Sequence, residues 1–309
     1  MLSHHGLCRL AARKAEHADY SPAVIDRILR YGAPVGSSFT CYRQLPSCMD
    51  VLRRRVMDNS GPPPVTGCVV RADSLTASSG RFNRRWHAPV GGLYLALLWA
   101  DTLLPEFSRF LPFAVGISCC ESVREFLPAA RLKWVNDVHA GGKKICGVLC
   151  ETVVGAEGDR FHLIGIGLNV NGQWFPEELG KTATSLQAAT GTTVDLNGVC
   201  ALLLARLQWN FGLLYYAEEQ KLAAGRGDDS DPGGLVLRRW LQLSDTPGKR
   251  VLYGYDVQQK PLYQATALEL DPAGGLVMEL DDGSRIIEHS GEIIYLADDD
   301  NAVVEHDPS

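Results

Sequence analysis

Lys133 and Lys144 stand eleven residues apart in the run KWVNDVHAGGKKICGVLCE, with Asn136 and Asp137 between them and Gly147 close behind. Fixed ammonium groups offset negative charge that is bound or develops in a reaction, so this set suits chemistry on a carboxylate or phosphate. Arg131–Val138 and Lys144–Glu151 read as strands. The segment between them carries Gly141 and Gly142, which take the positive φ of a tight reversal, and the expectation is one β-hairpin. Taken alone, the hairpin leaves two readings open: a cationic site, or two lysines solvated at the ends of an exposed element.

Two further stretches carry the same kind of signal. In HLIGIGLNVNG, strand alternation puts Ile164, Ile166, Leu168 and Val170 on one face and Gly165, Gly167, Asn169 and Asn171 on the other. Glycines weaken a strand, so the second face is cleared either for a flat ligand held by Asn169 or for close packing of another element. The stretch ADSLTASSGRFNRRWHAPVGGLYLAL, from Ala72 to Leu97, gathers Gly80, Arg81, Arg84, Trp86, Gly91 and Gly92. Backbone N–H groups and guanidinium groups in such a loop close over phosphate. A solvated basic loop is the alternative. Upstream, Ser47 opens a helix, where its hydroxyl caps the first turn or contacts a ligand.

The elements that must position these residues divide the chain. Residues 1–36 form an N-terminal extension with one short helix, opened by Ser21 and Pro22. Residues 37–243 alternate strands and helices as a mixed catalytic domain does, with a surface turn at SGPPP, 60–64. The Gly- and Asp-rich segment between Ala224 and Gly234 reads as a linker, followed by a helix from Leu235 to Leu243. Residues 244–298 then carry strand-like runs at Val251–Tyr253, Leu262–Leu270, Gly275–Leu280 and Arg285–His289, a small β domain, and 299–309 form an acidic tail.

Composition limits the function classes. The 309 residues are 46% apolar, and no apolar run approaches the roughly 20 residues that span a bilayer. A net charge of -6 argues against a protein whose main task is gripping nucleic acid. The nine cysteines show no regular spacing and suit a reducing compartment, so the expectation is free thiols in a cytoplasmic protein. Arg9, Arg13 and Lys14, with no acid before Glu16, keep a mitochondrial transit segment as the alternative. Gly180-Lys181-Thr182 lacks the rest of a P-loop, Cys146 and Cys150 lack a second ligand pair for zinc, and no HExxH or GxSxG pattern accompanies His139 or His289.

These motifs, in this order, resemble the biotin-protein ligase family. KWVND followed by KKICGVLCE is similar to its KWPND and K(L/I)xGI(L)xE signature, with Val135 in place of Pro; GIGLNVN is similar to GIGINVN. The segment from Phe175 to Leu186 resembles FPEEL and ATSL, and the 72–97 stretch resembles the Gly- and Arg-rich adenylate loop. That loop departs from the family pattern at Leu75, Ser78, Ser79 and Asn83, the last at a glycine position that Asn fills by tolerating positive φ. The resemblance implies an α+β catalytic domain like that of class II aminoacyl-tRNA synthetases, a small C-terminal SH3-like β-barrel, and a monofunctional enzyme without a DNA-binding domain. It implies ATP, biotin and Mg²⁺ as reactants and cofactor, and the carboxyl carrier domain of a carboxylase as the biotin-acceptor partner. By the same resemblance Lys144, Arg81 and Lys133 are catalytic. Ser47, Gly80, Arg81, Lys144 and Gly147 face biotin, and Arg84, Trp86, Asn136, Asp137 and Asn169 face ATP and the adenylate. A lipoate transferase and a non-catalytic adenylate binder are the rivals.

Overall fold

In the computed structural model, residues 6, 10, 11, 20–58, 64–172, 175–224 and 233–296 are described. Most of SGPPP and the Gly- and Asp-rich linker lie outside them, as does the acidic tail. After the helical residues 6, 10 and 11, the described elements begin with α1 (Pro22–Gly32), where Pro22 sits in the first turn and Ser21 holds the N-cap position without a side-chain cap bond. Then come β1 (Ser38–Leu45), α2 (Cys48–Met57), β2 (Cys68–Leu75), a single 3₁₀ turn (Arg81–Asn83), β3 (Leu93–Ala100), α3 (Pro105–Ser108) and α4 (Leu111–Arg124). Next are β4 (Arg131–Lys133), β5 (Asp137–Ala140), β6 (Lys143–Val154), β7 (Arg160–Leu168), α5 (Glu177–Gly180), α6 (Leu186–Thr190), α7 (Leu196–Ala224) and α8 (Gly234–Leu243). The last five strands are β8 (Arg250–Gly254), β9 (Tyr263–Leu270), β10 (Leu276–Glu279), β11 (Arg285–Glu288) and β12 (Glu292–Tyr295).

Strands β1 to β7 form one sheet in the order β1-β2-β3-β7-β6-β5-β4, parallel only between β1 and β2. Its two faces are written in the alternation of its strands. Val69, Leu95, Leu97, Ile164 and Ile166 join a core with α4, α7 and α8, whereas Val70, Ala96, Leu98 and Leu163 point the other way onto Leu52 and Val56 of α2. Strands β8 to β12 form a second, antiparallel sheet in the order β11-β10-β9-β8-β12, the small SH3-like unit. Its interior is continuous with the larger core: Val251, Ala265, Met278 and Ile293 belong to the same buried cluster as Phe113, Trp134 and Trp240. No helix among the described residues is long and apolar enough to cross a membrane.

The sequence pattern differs from the structure in two places that matter. The run Arg131–Val138 is not one strand: it folds back at Trp134-Val135-Asn136, so Lys133 faces Asp137 in register and the expected hairpin becomes a three-stranded meander. The reason is burial. Trp134 is 1% exposed and Asn136 8% exposed, and the fold-back packs both into the core. The Trp134-Val135 peptide bond is cis. The second difference is β12, which short alternation in HSGEIIYL does not announce; it pairs with β8 and closes the small sheet.

Candidate active site

The fold-back at KWVND brings the chemistry together. Because Lys133 and Asp137 are register partners, and Lys144 starts β6 one strand further along, both amines and the carboxylate crowd the same end of the sheet. Lys144 Nζ donates to Asp137 Oδ2 at 2.7 Å. Burial pushes the Asp137 carboxyl up, but the ammonium of Lys144 outweighs it, with help from Lys133 and Arg81, and holds the group below the usual carboxylate range. The Lys133 amine is pushed the other way: burial lowers it, and neighbouring Lys144 and Arg81 oppose what Asp137 and Glu292 restore. The backbone of Lys144 is clamped from outside, its N–H donating to the Thr182 carbonyl at 2.8 Å and its carbonyl accepting from Thr184 at 2.9 Å.

The cleared strand face has an occupant from the chain itself. Gly147 of β6 and Gly167 of β7 stand opposite each other, and the indole of Trp86 lies across both. A Cβ on Gly167 would sit 2.6 Å from Trp86 Nε1, and one on Gly147 would sit 2.9 Å from its Cζ3 and 3.0 Å from Lys144 Cε. The third glycine of the face, Gly165, makes room for the Met49 thioether of α2 at 2.5 Å. Close packing, the second of the two readings of that strand, therefore explains the glycines. Trp86 Nε1 is buried and has no hydrogen-bond partner among the described residues. A donor in that condition carries a desolvation cost of about 1–3 kcal/mol until something accepts from it.

Ser78 and Ser79, the departures from the family loop, zip its neck. Trp86 N–H donates to the Ser78 carbonyl at 3.0 Å, Ser78 Oγ returns a bond to the Trp86 carbonyl at 2.8 Å, and Ser79 bridges Arg85. Inside this neck the positive φ falls on Phe82, at 56°, and not on Asn83 as its residue type suggests. The turn directs both arginines at the small sheet. Arg81 donates to the Gly291 carbonyl at 2.7 Å and lies 3.4 Å from Glu292, while Arg84 pairs with Glu292 at 2.6 Å and with Asp256. Burial works against the Arg84 charge, but those two carboxylates outweigh it and raise its pKa above the ordinary arginine value.

All of this surrounds one cavity of about 710 Å³, the size that encloses a small ligand. Ser47, Gly80, Arg81, Arg84, Trp86, Lys133, Asp137, Lys144, Gly147 and Asn169 line it. Asn136 does not. It is buried against α4, its Cβ 3.1 Å from the position a Cβ on Gly116 would take. Ser47 does cap α2, accepting from Asp50 N–H at 3.4 Å, and lines the cavity as well. Asn169 spends its amide on the Thr184 carbonyl at 3.0 Å, fixing the segment that holds Lys144. Sequence reasoning missed His139, Glu292 and Tyr295, which also line the cavity; two of them ride on β12, and His139 stands without any motif. Among the described residues no three His, Cys, Asp or Glu side chains gather as a metal cage.

The arrangement of sheets and cavity defines a class. A biotin protein ligase from Aquifex aeolicus in complex with biotin and ATP has the same fold, at a TM-score of 0.64 and 24% identity over 84% of this chain and 99% of that one. One from Leishmania major in complex with biotinyl-5-AMP follows at 0.51 and 22%, over 81% and 98%. This is the α+β fold of biotin protein ligases with its small C-terminal sheet. Residues 57–171 match the Biotin/lipoate A/B protein ligase family. Among relatives, the bifunctional ligase/repressor BirA of Bacillus spizizenii is 33% identical over 172 residues, 53% of this chain and 50% of that one. The biotin--[acetyl-CoA-carboxylase] ligase of Mycobacterium tuberculosis is 27% identical over 75% of this chain and 80% of its own length. The chain spans about half the length of the Bacillus relatives it matches.

Proposed function

We propose that the protein is an ATP-dependent biotin ligase that acts through biotinyl-5'-AMP and transfers biotin to a lysine of a carboxyl carrier domain. The observation that carries this reading is the single cavity that joins a paired lysine and carboxylate, the Trp86 slot over Gly147 and Gly167, and two loop arginines. In the first step a carboxylate oxygen of biotin attacks the α-phosphorus of ATP, the bond to the bridging oxygen breaks, and pyrophosphate leaves. Two anions must meet. Lys144, oriented by Asp137, faces both of them, and Lys133, Arg81 and Arg84 are placed for the departing phosphates. In the second step the acceptor amine attacks the acyl carbon and AMP leaves.

Mg²⁺ carried in on the nucleotide would neutralise phosphate charge, with the Asp137 and Asn169 oxygens as the cavity groups suited to it. Magnesium takes most of its ligands from phosphate and water, so a protein cage is not required. Arg81 and Arg84 reach phosphate by sharing or releasing Glu292 and Asp256, and the five donors of each guanidinium allow sharing. The test is incubation with biotin, ATP, Mg²⁺ and a biotin-acceptor domain, with lipoate as a parallel arm. Label transfer from biotin, lost by a factor of at least about 10² in Lys144→Ala, is the expected result. No transfer by the unmutated chain sinks the ligase reading; transfer from lipoate alone reassigns the substrate.

A further inference from the structure

Four hydrogen bonds run in line where the large sheet meets the small one. Trp134 N–H lies 3.2 Å from Thr246 Oγ1, Thr246 Oγ1 lies 2.8 Å from Tyr295 Oη, and Tyr295 Oη lies 2.9 Å from Asp245 Oδ1. His139 Nε2 reaches the same Asp245 oxygen at 3.0 Å. The two ends fix the direction of every proton between them. A backbone amide only donates, and an ionised carboxylate only accepts. Asp245 is ionised: burial pushes it up, but the bonds from His139 and Tyr295 outweigh burial and hold it below the usual range. Thr246 therefore gives its proton to Tyr295, Tyr295 gives its own to Asp245, and His139 presents Nε2–H.

The line holds one ring in place, and that ring faces a cation. Lys133 Nζ sits 5.4 Å from the centroid of Tyr295, within the range of a cation–π contact. Asp137, the register partner of Lys133, accepts its bond from Lys144 instead. The His139 ring closes the other side, edge-on to Tyr295 at 5.7 Å. The first donor of the line, Trp134, is the residue next to Lys133, so both the stem and the head of this lysine are tied to the same chain of bonds.

We propose that Tyr295, anchored by Asp245, Thr246 and His139, is a positioning residue: its ring is the platform that holds the Lys133 ammonium on the cavity wall. The small sheet thereby sets the place of a cation in a site built mainly on the large one. That this cation serves the phosphates of ATP rests on the ligase reading; that Tyr295 places it does not.

Two readouts test the proposal. Lysine-selective ¹³C labelling, with the Lys133 Hε–Cε resonance assigned by Lys133→Arg, reports the ring current of Tyr295 without any need for activity. Tyr295→Leu shifts this resonance toward that of a solvated lysine. Tyr295→Phe, which keeps the ring and loses the hydroxyl, and His139→Leu shift it part of the way; His139→Gln, which restores an N–H donor, returns it. In pyrophosphate release, Tyr295→Leu raises the KM for ATP about tenfold with kcat within about threefold. A Lys133 resonance that stays put in folded Tyr295→Phe, His139→Leu and Tyr295→Leu overturns the proposal. If the unmutated protein releases no pyrophosphate, the ligase reading fails while the resonance still decides where Tyr295 places Lys133.

Discussion

The Lys144 and Asp137 pair ties the chemistry of the site to the stability of the fold. The folded state holds Asp137 ionised below the roughly 3.9 of an unfolded aspartate, so as pH falls the unfolded chain takes its proton first. The stability it contributes is complete above that unfolded value and is lost as pH drops through the folded one. Unfolding followed between pH 7 and pH 3 should show a steeper acid loss in the unmutated protein than in Asp137→Asn, which has no proton to take up. Equal slopes for both would mean that the pair does not hold Asp137 ionised. These residues were legible in the sequence as types and spacing. What spacing hid is that KWVND turns back on itself, because strand-like residue types fill the fold-back as well as they would a strand. His139 was unreadable for a different reason: its partner Asp245 is more than a hundred residues away.

At the scale of elements, alternation showed which side of β7 is empty but not what fills it. Gly165 and Gly167 are equivalent in sequence and differ in what covers them. The Met49 thioether over Gly165 ends a flexible side chain and moves at little cost, whereas the Trp86 indole over Gly167 is also trapped by Gly147 and by the Ser78 neck. Gly167→Ala should therefore destabilise by about 1–3 kcal/mol and abolish the thermal shift given by biotin, while Gly165→Ala costs less and keeps the shift. Denaturant unfolding and ligand melting curves measure both, and equal costs would place Trp86 elsewhere in solution. The Arg-rich loop teaches the converse lesson. Its serines break the family pattern, yet they form the bonds that shape the neck, a role that no residue-type argument assigns to them.

For the molecule as a whole, the small sheet shares the main core and also reaches over the cavity to hold both loop arginines. Its existence was legible from turn-separated β runs. Its contact with the site was not, because Glu292 and Tyr295 lie on a four-residue strand that HSGEIIYL does not announce. Glu292→Ala removes the carboxylate that Arg81 and Arg84 share while leaving the buried face of β12 intact. Hydrogen exchange should rise several-fold in residues 78–86, with unfolding still a single transition. Unchanged exchange there would show that the neck alone orders the loop.

The indole over the two glycines has a further consequence, an optical one. The emission of a tryptophan follows the polarity and hydrogen bonding around its ring, and Trp86 combines a half-buried ring on the cavity wall with an N–H that has no acceptor among the described residues. Trp99, Trp209 and Trp240 are buried in the core, away from such changes, while Trp134, equally buried, also borders the cavity. Any guest that accepts from Trp86 or covers its ring alters the light the protein emits, and the site carries its own indicator of occupancy without an added dye.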